Sequence, residues 1–129
     1  MANIIINDVA DWLANYELGY SAGVNLFVGH QPNSPVNCIT VIDTGGMKPP
    51  IDFDSKKPTF QVLIRNSDYA TGRVLLDSVR TALHNLYGVE LVTGSNFFHS
   101  INAMSEGGHI GRDEKGNDEF SINFQAYIR

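Results

Sequence analysis

Glu119–Arg129 constrains the fold of this chain more than any other stretch. Phe120, Ile122, Phe124, Ala126 and Ile128 alternate with Glu119, Ser121, Asn123, Gln125 and Tyr127. Successive side chains of a strand point to opposite faces of a sheet, so a period of two describes a half-buried strand. Such a strand needs neighbours to pair with and a layer to cover its apolar face. Asn96–Met104 is long enough to pair with it as a hairpin. Asp113-Glu114-Lys115-Gly116-Asn117 supplies turn chemistry between the two, because Gly116 can take a left-handed conformation. The glycine-rich polar stretch Ser105–Asp118 reads as the loop that joins them.

Upstream, Asn3 can cap a helix whose apolar residues Ile5, Val9, Trp12, Leu13 and Tyr16 recur at helical spacing, with Gly19 as its stop. Val24–Val28 and Cys38–Asp43 are strand-like, separated by a Pro- and Gly-containing loop, Gly29–Pro35. Thr44–Lys57 carries no sustained period and reads as a long loop. Thr59–Arg65 is apolar on one face and only partly polar on the other, which suits a central strand or one covered on both sides. A second helix follows, capped by Asn66, Ser67 or Asp68, continued by Leu75, Leu76, Val79, Leu83 and Leu86, and ended by Gly88. Val89–Val92 is a short strand and Thr93-Gly94-Ser95 a turn. The order αβββαβββ has no regular βαβ repeat. It predicts an α+β fold: a mixed, largely antiparallel sheet with two helices packed on one face and two long loops. At 129 residues this is expected to be a single domain, 1–129.

Charge and cysteine usage remove several function classes. Nine basic residues face fourteen acidic ones, a net charge of −5. No Lys or Arg cluster exceeds Lys56-Lys57, so specific or general DNA binding is not expected. Ile4-Ile5-Ile6 is far too short to span a membrane and no basic region precedes it; no membrane association is expected. The lone Cys38 sits among Ile39, Val41 and Ile42 and reads as a buried small hydrophobe, in keeping with folding in a reducing cytoplasm.

No catalytic, metal or cofactor constellation emerges. His30, His84, His99 and His109 lack partners at a ligand spacing. A calcium loop starting at Asp113 fails because Lys115 holds a ligand position, Asp118 replaces the required glycine and Phe124 the bidentate glutamate. Gly107-Gly108-His109-Ile110-Gly111-Arg112 lacks the lysine ending of a phosphate loop and precedes a strand rather than a helix. Asp52 and Asp54 lie beside Lys56 and Lys57 and read as solvated carboxylates.

Apolar side chains inside the two polar loops remain: Met47, Pro49, Pro50, Ile51 and Phe53 in one, and Ile110 beside His109, Arg112 and Asp113 in the other. Either they fold back on the core or they dock on a partner, and Met, aromatic and Arg side chains are those enriched at interface cores. These nine residues are the candidate assembly interface.

Three blocks of the sequence resemble the minor-capsid and tail-terminator proteins of long-tailed phages. They are Thr40-Val41-Ile42-Asp43-Thr44-Gly45-Gly46, Pro58-Thr59-Phe60-Gln61-Val62-Leu63-Ile64-Arg65, and Ile110-Gly111-Arg112-Asp113-Glu114 running on through Phe120-Ser121-Ile122-Asn123-Phe124. They are spread over residues 40–124 in the family's order, with a long helix between the second and third. The resemblance implies a virion protein of the tail–neck region, present in the host cytoplasm during assembly. It implies a homo-oligomeric, hexameric ring that caps the tail-tube protein and later meets the head connector, with DNA passing through its bore unbound. It carries over no catalytic residue and no cofactor. Two other readings need different evidence: a head-side neck adaptor would bind the portal side, and a ligand-binding domain or enzyme would gather the histidines or Asp52 and Asp54 in one pocket.

Overall fold

The alternating stretch becomes the central strand β7 (Asp118–Ile128) in the computed structural model, which describes residues 4–16, 18–47 and 57–128. Its even-numbered side chains are buried; the odd-numbered ones are half-buried or, at Asn123, exposed. On one side β7 pairs antiparallel with β3 (Lys57–Asn66), from Thr59 opposite Gln125 to Asn66 opposite Asp118. β3 pairs antiparallel with β2 (Cys38–Met47), and β2 pairs in parallel with the short β1 (Leu26–Val28). On its other side the second half of β7 pairs with β5 (Phe97–Ala103), which pairs with β4 (Leu86–Glu90). The first half of β7 pairs there with β6 (Gly108–Arg112). The strand order is therefore β1-β2-β3-β7-β5-β4, with β6 in line with β5. This is the mixed, largely antiparallel α+β architecture that the element order predicts.

Two helices cover the apolar face. α1 (Ile5–Ala14) buries Ile6, Val9, Ala10 and Leu13, a stripe at helical spacing, and lies over β1 and β2. α2 (Tyr69–Leu83) buries Gly72, Leu75, Leu76, Val79, Ala82 and Leu83 over β3, β7 and β5. Asp68 caps α2, its carboxylate accepting from Thr71 N at 3.0 Å. The indole of Trp12 donates to the Ala82 carbonyl at 3.0 Å and joins the two helices. Between helices and sheet lie Ile39 and Val41, Phe60, Val62 and Ile64, and Phe120, Ile122 and Phe124, all fully buried. Phe60 and Phe124 are register partners whose rings stack at 5.2 Å.

α2 approaches the sheet so closely that Gly72 leaves no room for a side chain: a Cβ there would lie 2.4 Å from Phe120 Cε1 and 3.2 Å from Asn66 Cβ. Tyr69 and His109 flank the Phe120 ring at 5.4 and 5.2 Å, so a shift of the ring disturbs both contacts. Gly72→Ala therefore sets a helix-propensity gain of about 1 kcal/mol against an overpacking cost of about 1–3 kcal/mol. The expected net effect is destabilisation in a urea titration; a stabilised variant would show that the helix can lift off at no cost.

Several boundaries differ from the sequence reading. α1 starts after Ile4 with no side-chain cap, and Asn3 lies outside the described residues. It ends at Ala14, before the expected stop at Gly19. α2 ends at Leu83 rather than near Gly88, because His84 turns into extended backbone and Asn85 takes φ 62°. Asparagine tolerates that conformation and stops the helix early. His84 Nδ1 then accepts from Ala103 N at 3.0 Å, and β4 begins at Leu86, three residues earlier than expected. The loop after Asp43 is shorter than read, since β2 continues through a register irregularity to Met47 opposite Lys57. The largest correction concerns Ser105–Asp118, which is not a loop throughout: Gly108–Arg112 is strand β6.

Two buried polar side chains hold the periphery to this frame. Arg65, on the sheet face away from the helices, donates to the carbonyls of Val36, Pro32 and Pro35 at 2.9, 2.6 and 2.9 Å and draws the Gly29–Pro35 loop against the sheet. That loop supplies part of the cover expected over the second face of β3. Asp8, fully buried in the first turn of α1, accepts from Ser95 Oγ at 2.9 Å, Asn96 N at 3.3 Å and Asn96 Nδ2 at 3.1 Å. It joins the helix to the connection between β4 and β5. Cys38 is buried and free, and desolvation, the largest influence on it, pushes its thiol pKa up.

Candidate functional site

Of the nine candidate interface residues, His109, Ile110, Arg112 and Asp113 come together on the β6–β7 hairpin. Alternation places Asp118 on the same face of β7 as Phe120, so its carboxylate is buried beneath the hairpin. His109 Nε2 and Arg112 Nε meet the same Asp118 Oδ1 at 3.0 and 3.2 Å. The imidazole of His109 also packs edge-on to Phe120 and to Tyr69 of α2, each at 5.2 Å. β6 is thereby fastened both to its partner strand and to the helix above it. The hairpin is thus braced from both sides.

Ile110 escapes this bracing. A register irregularity between His109 and Gly111 sets it outside the pairing with β7, and it is 58% exposed. Extra residues in one strand of a pair bend it and redirect side chains. Arg112 keeps 68% of its side chain exposed despite its bond to Asp118, and Tyr69 is 50% exposed. These exposed groups give the hairpin and the adjoining helix both apolar and cationic surface. Tyr69 and Asp118 were missed from sequence. The signal for Asp118 was its parity: it lies two residues before Phe120, at an inward-facing position.

Asp113 works inside the turn. Its carboxylate accepts from Lys115 N and Asn117 N, both at 2.9 Å, and from Asn117 Nδ2 at 3.0 Å. Gly116 takes φ 82°, as the turn chemistry requires. The backbone N–H of Asn117, followed by its side chain, holds the Asp113 carboxyl below the usual carboxylate range. The side chain and backbone of Thr71 do the same for Asp68. A depressed folded-state pKa gives stabilisation that is present above the unfolded value of about 3.9 and is lost as pH falls through the folded value. The protection factors of the amides at residues 115–117, referred to the intrinsic exchange rate at each pH, are therefore expected to hold at pH 5 and to fall below about pH 4. Unchanged protection down to pH 2 would contradict this role.

The other candidates are elsewhere. Met47 closes β2 opposite Lys57, while Pro49, Pro50, Ile51 and Phe53, like Asp52 and Asp54, lie outside the described residues. The histidines stay apart: His30 is exposed, His84 accepts from Ala103, and His99 packs between Phe97 and Tyr127 at 5.1 and 5.2 Å. Among the described residues no three His, Cys, Asp or Glu side chains gather as a metal site, and no helix is long and apolar enough to cross a membrane.

The three resembling blocks fall on β2, β3 and the β6–β7 hairpin, which are neighbours in the sheet. The sequence pattern of the bacteriophage tail terminator protein family matches residues 7–129. The chain belongs to that family. As a tail terminator it is a structural virion protein associated with the phage tail, from a family that is not one of enzymes. A solved chain from the "Virion of native gene transfer agent (GTA) particle" is similar in fold, with a TM-score of 0.55 over 93% of this chain and 83% of that one, at 12% sequence identity. No curated protein matches this tail terminator in sequence.

Proposed function

We propose that copies of this tail terminator close into a ring on the last ring of tail-tube protein, stop tube growth there and then present the surface on which the head connector docks. The observation that carries this reading is the family match over residues 7–129. A hexamer is the ring size that the family resemblance implies. A closed ring needs a heterologous contact, in which two different surfaces of one chain meet. The braced hairpin with exposed Ile110 and Arg112 is one such surface, and the segment holding Met47, Pro49, Pro50, Ile51 and Phe53 is the other. The net charge of −5 suits a bore that DNA crosses without adhering, since like charges repel.

Co-sedimentation separates this reading from a head-side adaptor. The purified protein is expected to travel with tails that lack it and not with DNA-filled heads. Binding to heads alone would overturn the proposal.

A further inference from the structure

Residues 29–37, between β1 and β2, form a strap on the sheet face away from the helices, where Arg65 holds them. Cys38 and Thr40 of β2 lie on that face, opposite Arg65 and Leu63 of β3. Cys38 and Thr40 are fully buried and Arg65 nearly so, whereas Ile42, Gln61 and Leu63, further along the same face, are half-buried. Burial on this face thus follows the strap. The strap itself contains no helix or strand and adds no side chain to the hydrophobic core between sheet and helices. Segments with few buried apolar contacts are the ones that open locally while the rest of a domain stays folded.

Two opposing contributions set how firmly the strap sits. Arg65 holds it down through its bonds to the Val36, Pro32 and Pro35 carbonyls at 2.9, 2.6 and 2.9 Å, and a charged donor makes the stronger kind of hydrogen bond. At the strap's end Asn37 Oδ1 accepts from Ser67 N at 2.9 Å. Against these stand two polar atoms that closure buries with no oxygen or nitrogen partner among the described residues: Thr40 Oγ1 beneath the strap and Gln31 Nε2 on it. What they face is the Cys38 sulfur, a weak hydrogen-bonding partner. Water satisfies both atoms when the strap lifts, so each favours the open form.

We infer that residues 29–37 are a latched strap that lifts locally, with the core of the tail terminator intact, and bares Cys38. Arg65 is the latch, and the stranded atoms of Thr40 and Gln31 oppose it. A cavity of about 220 Å³ separates Asn33 and Val36 of the strap from Asp113, Lys115 and Asn117 of the β6–β7 turn, with Arg65 in its wall. Lifting the strap removes one side of that cavity, so the shape of the surface beside the hairpin depends on the latch.

Cys38 is the one cysteine of the chain, so labelling of the folded protein with a small aromatic disulfide reports on this site. Local opening predicts a labelling rate that hardly changes with urea below the unfolding transition and exceeds by about 10-fold or more the rate that global unfolding allows. Arg65→Lys keeps the charge but not the fork of donors, and is expected to speed labelling about 10-fold. Thr40→Val removes a stranded hydroxyl at nearly constant volume, and is expected to slow labelling about 5-fold or more. Labelling of the unsubstituted protein that climbs with urea in step with unfolding would overturn the inference. So would a Thr40→Val variant that labels as fast as the unsubstituted protein, a result that can be read even if Arg65→Lys does not fold.

Discussion

Cutting Phe124 back to alanine is expected to lower the melting temperature by about 10–18 °C, equivalent to about 3–5 kcal/mol. Phe124 lies on the central strand, fully buried, stacked on its register partner Phe60 and covered by the helices. Its removal takes away apolar burial and leaves a space that strands held on both sides cannot close. Gln125→Ala, one residue along on the other face, is expected to shift the midpoint by no more than about 2 °C, as half-exposed substitutions do. Equal shifts for the two variants in a thermal scan would mean that the faces of β7 have been assigned the wrong way round.

Asp8→Ala is expected to cost about 2–4 kcal/mol, or about 7–15 °C. The carboxylate is fully buried and accepts from a hydroxyl, a backbone N–H and a side-chain amide of Ser95 and Asn96. Alanine removes the fully buried acceptor that these half-buried donors share and leaves a space in its place. The partners lie far apart in sequence, so the loss should loosen α1 against the β4–β5 connection as well as lower stability. A double-mutant cycle with Asn96→Ala should be clearly non-additive. Additive effects would place the Asp8 contribution in the helix rather than in this junction.

The fold was legible wherever one local signal dominated. β7, α2 and β3 announced themselves by period, and the Gly116 turn and a cap for α2 among Asn66, Ser67 and Asp68 by residue type. What was not legible depended on contacts distant in sequence. α2 ends where His84 finds Ala103 and Asn85 turns left-handed, although Gly88 looked the better stop. β6 was hidden because Gly108 and Gly111 have weak strand propensity, and only pairing with Asp118–Ser121 makes that stretch extended. Asp8 gave no sign of its burial, since an acid in a first helical turn usually has a role at the surface. At the candidate site, sequence picked out His109, Ile110, Arg112 and Asp113 as a group. It could not divide them into bracing residues, an exposed apolar tip and a turn former, because that division is set by the irregular register of β6 and by the buried carboxylate of Asp118.

The proposed role requires that this chain stop tail growth. The most direct measurement is the length distribution of tails assembled without it, imaged by negative stain. Overlong tails of variable length are expected, returning to one length when the protein is supplied. Tails of normal length that merely fail to join heads would contradict the account and assign the chain to the joining step alone.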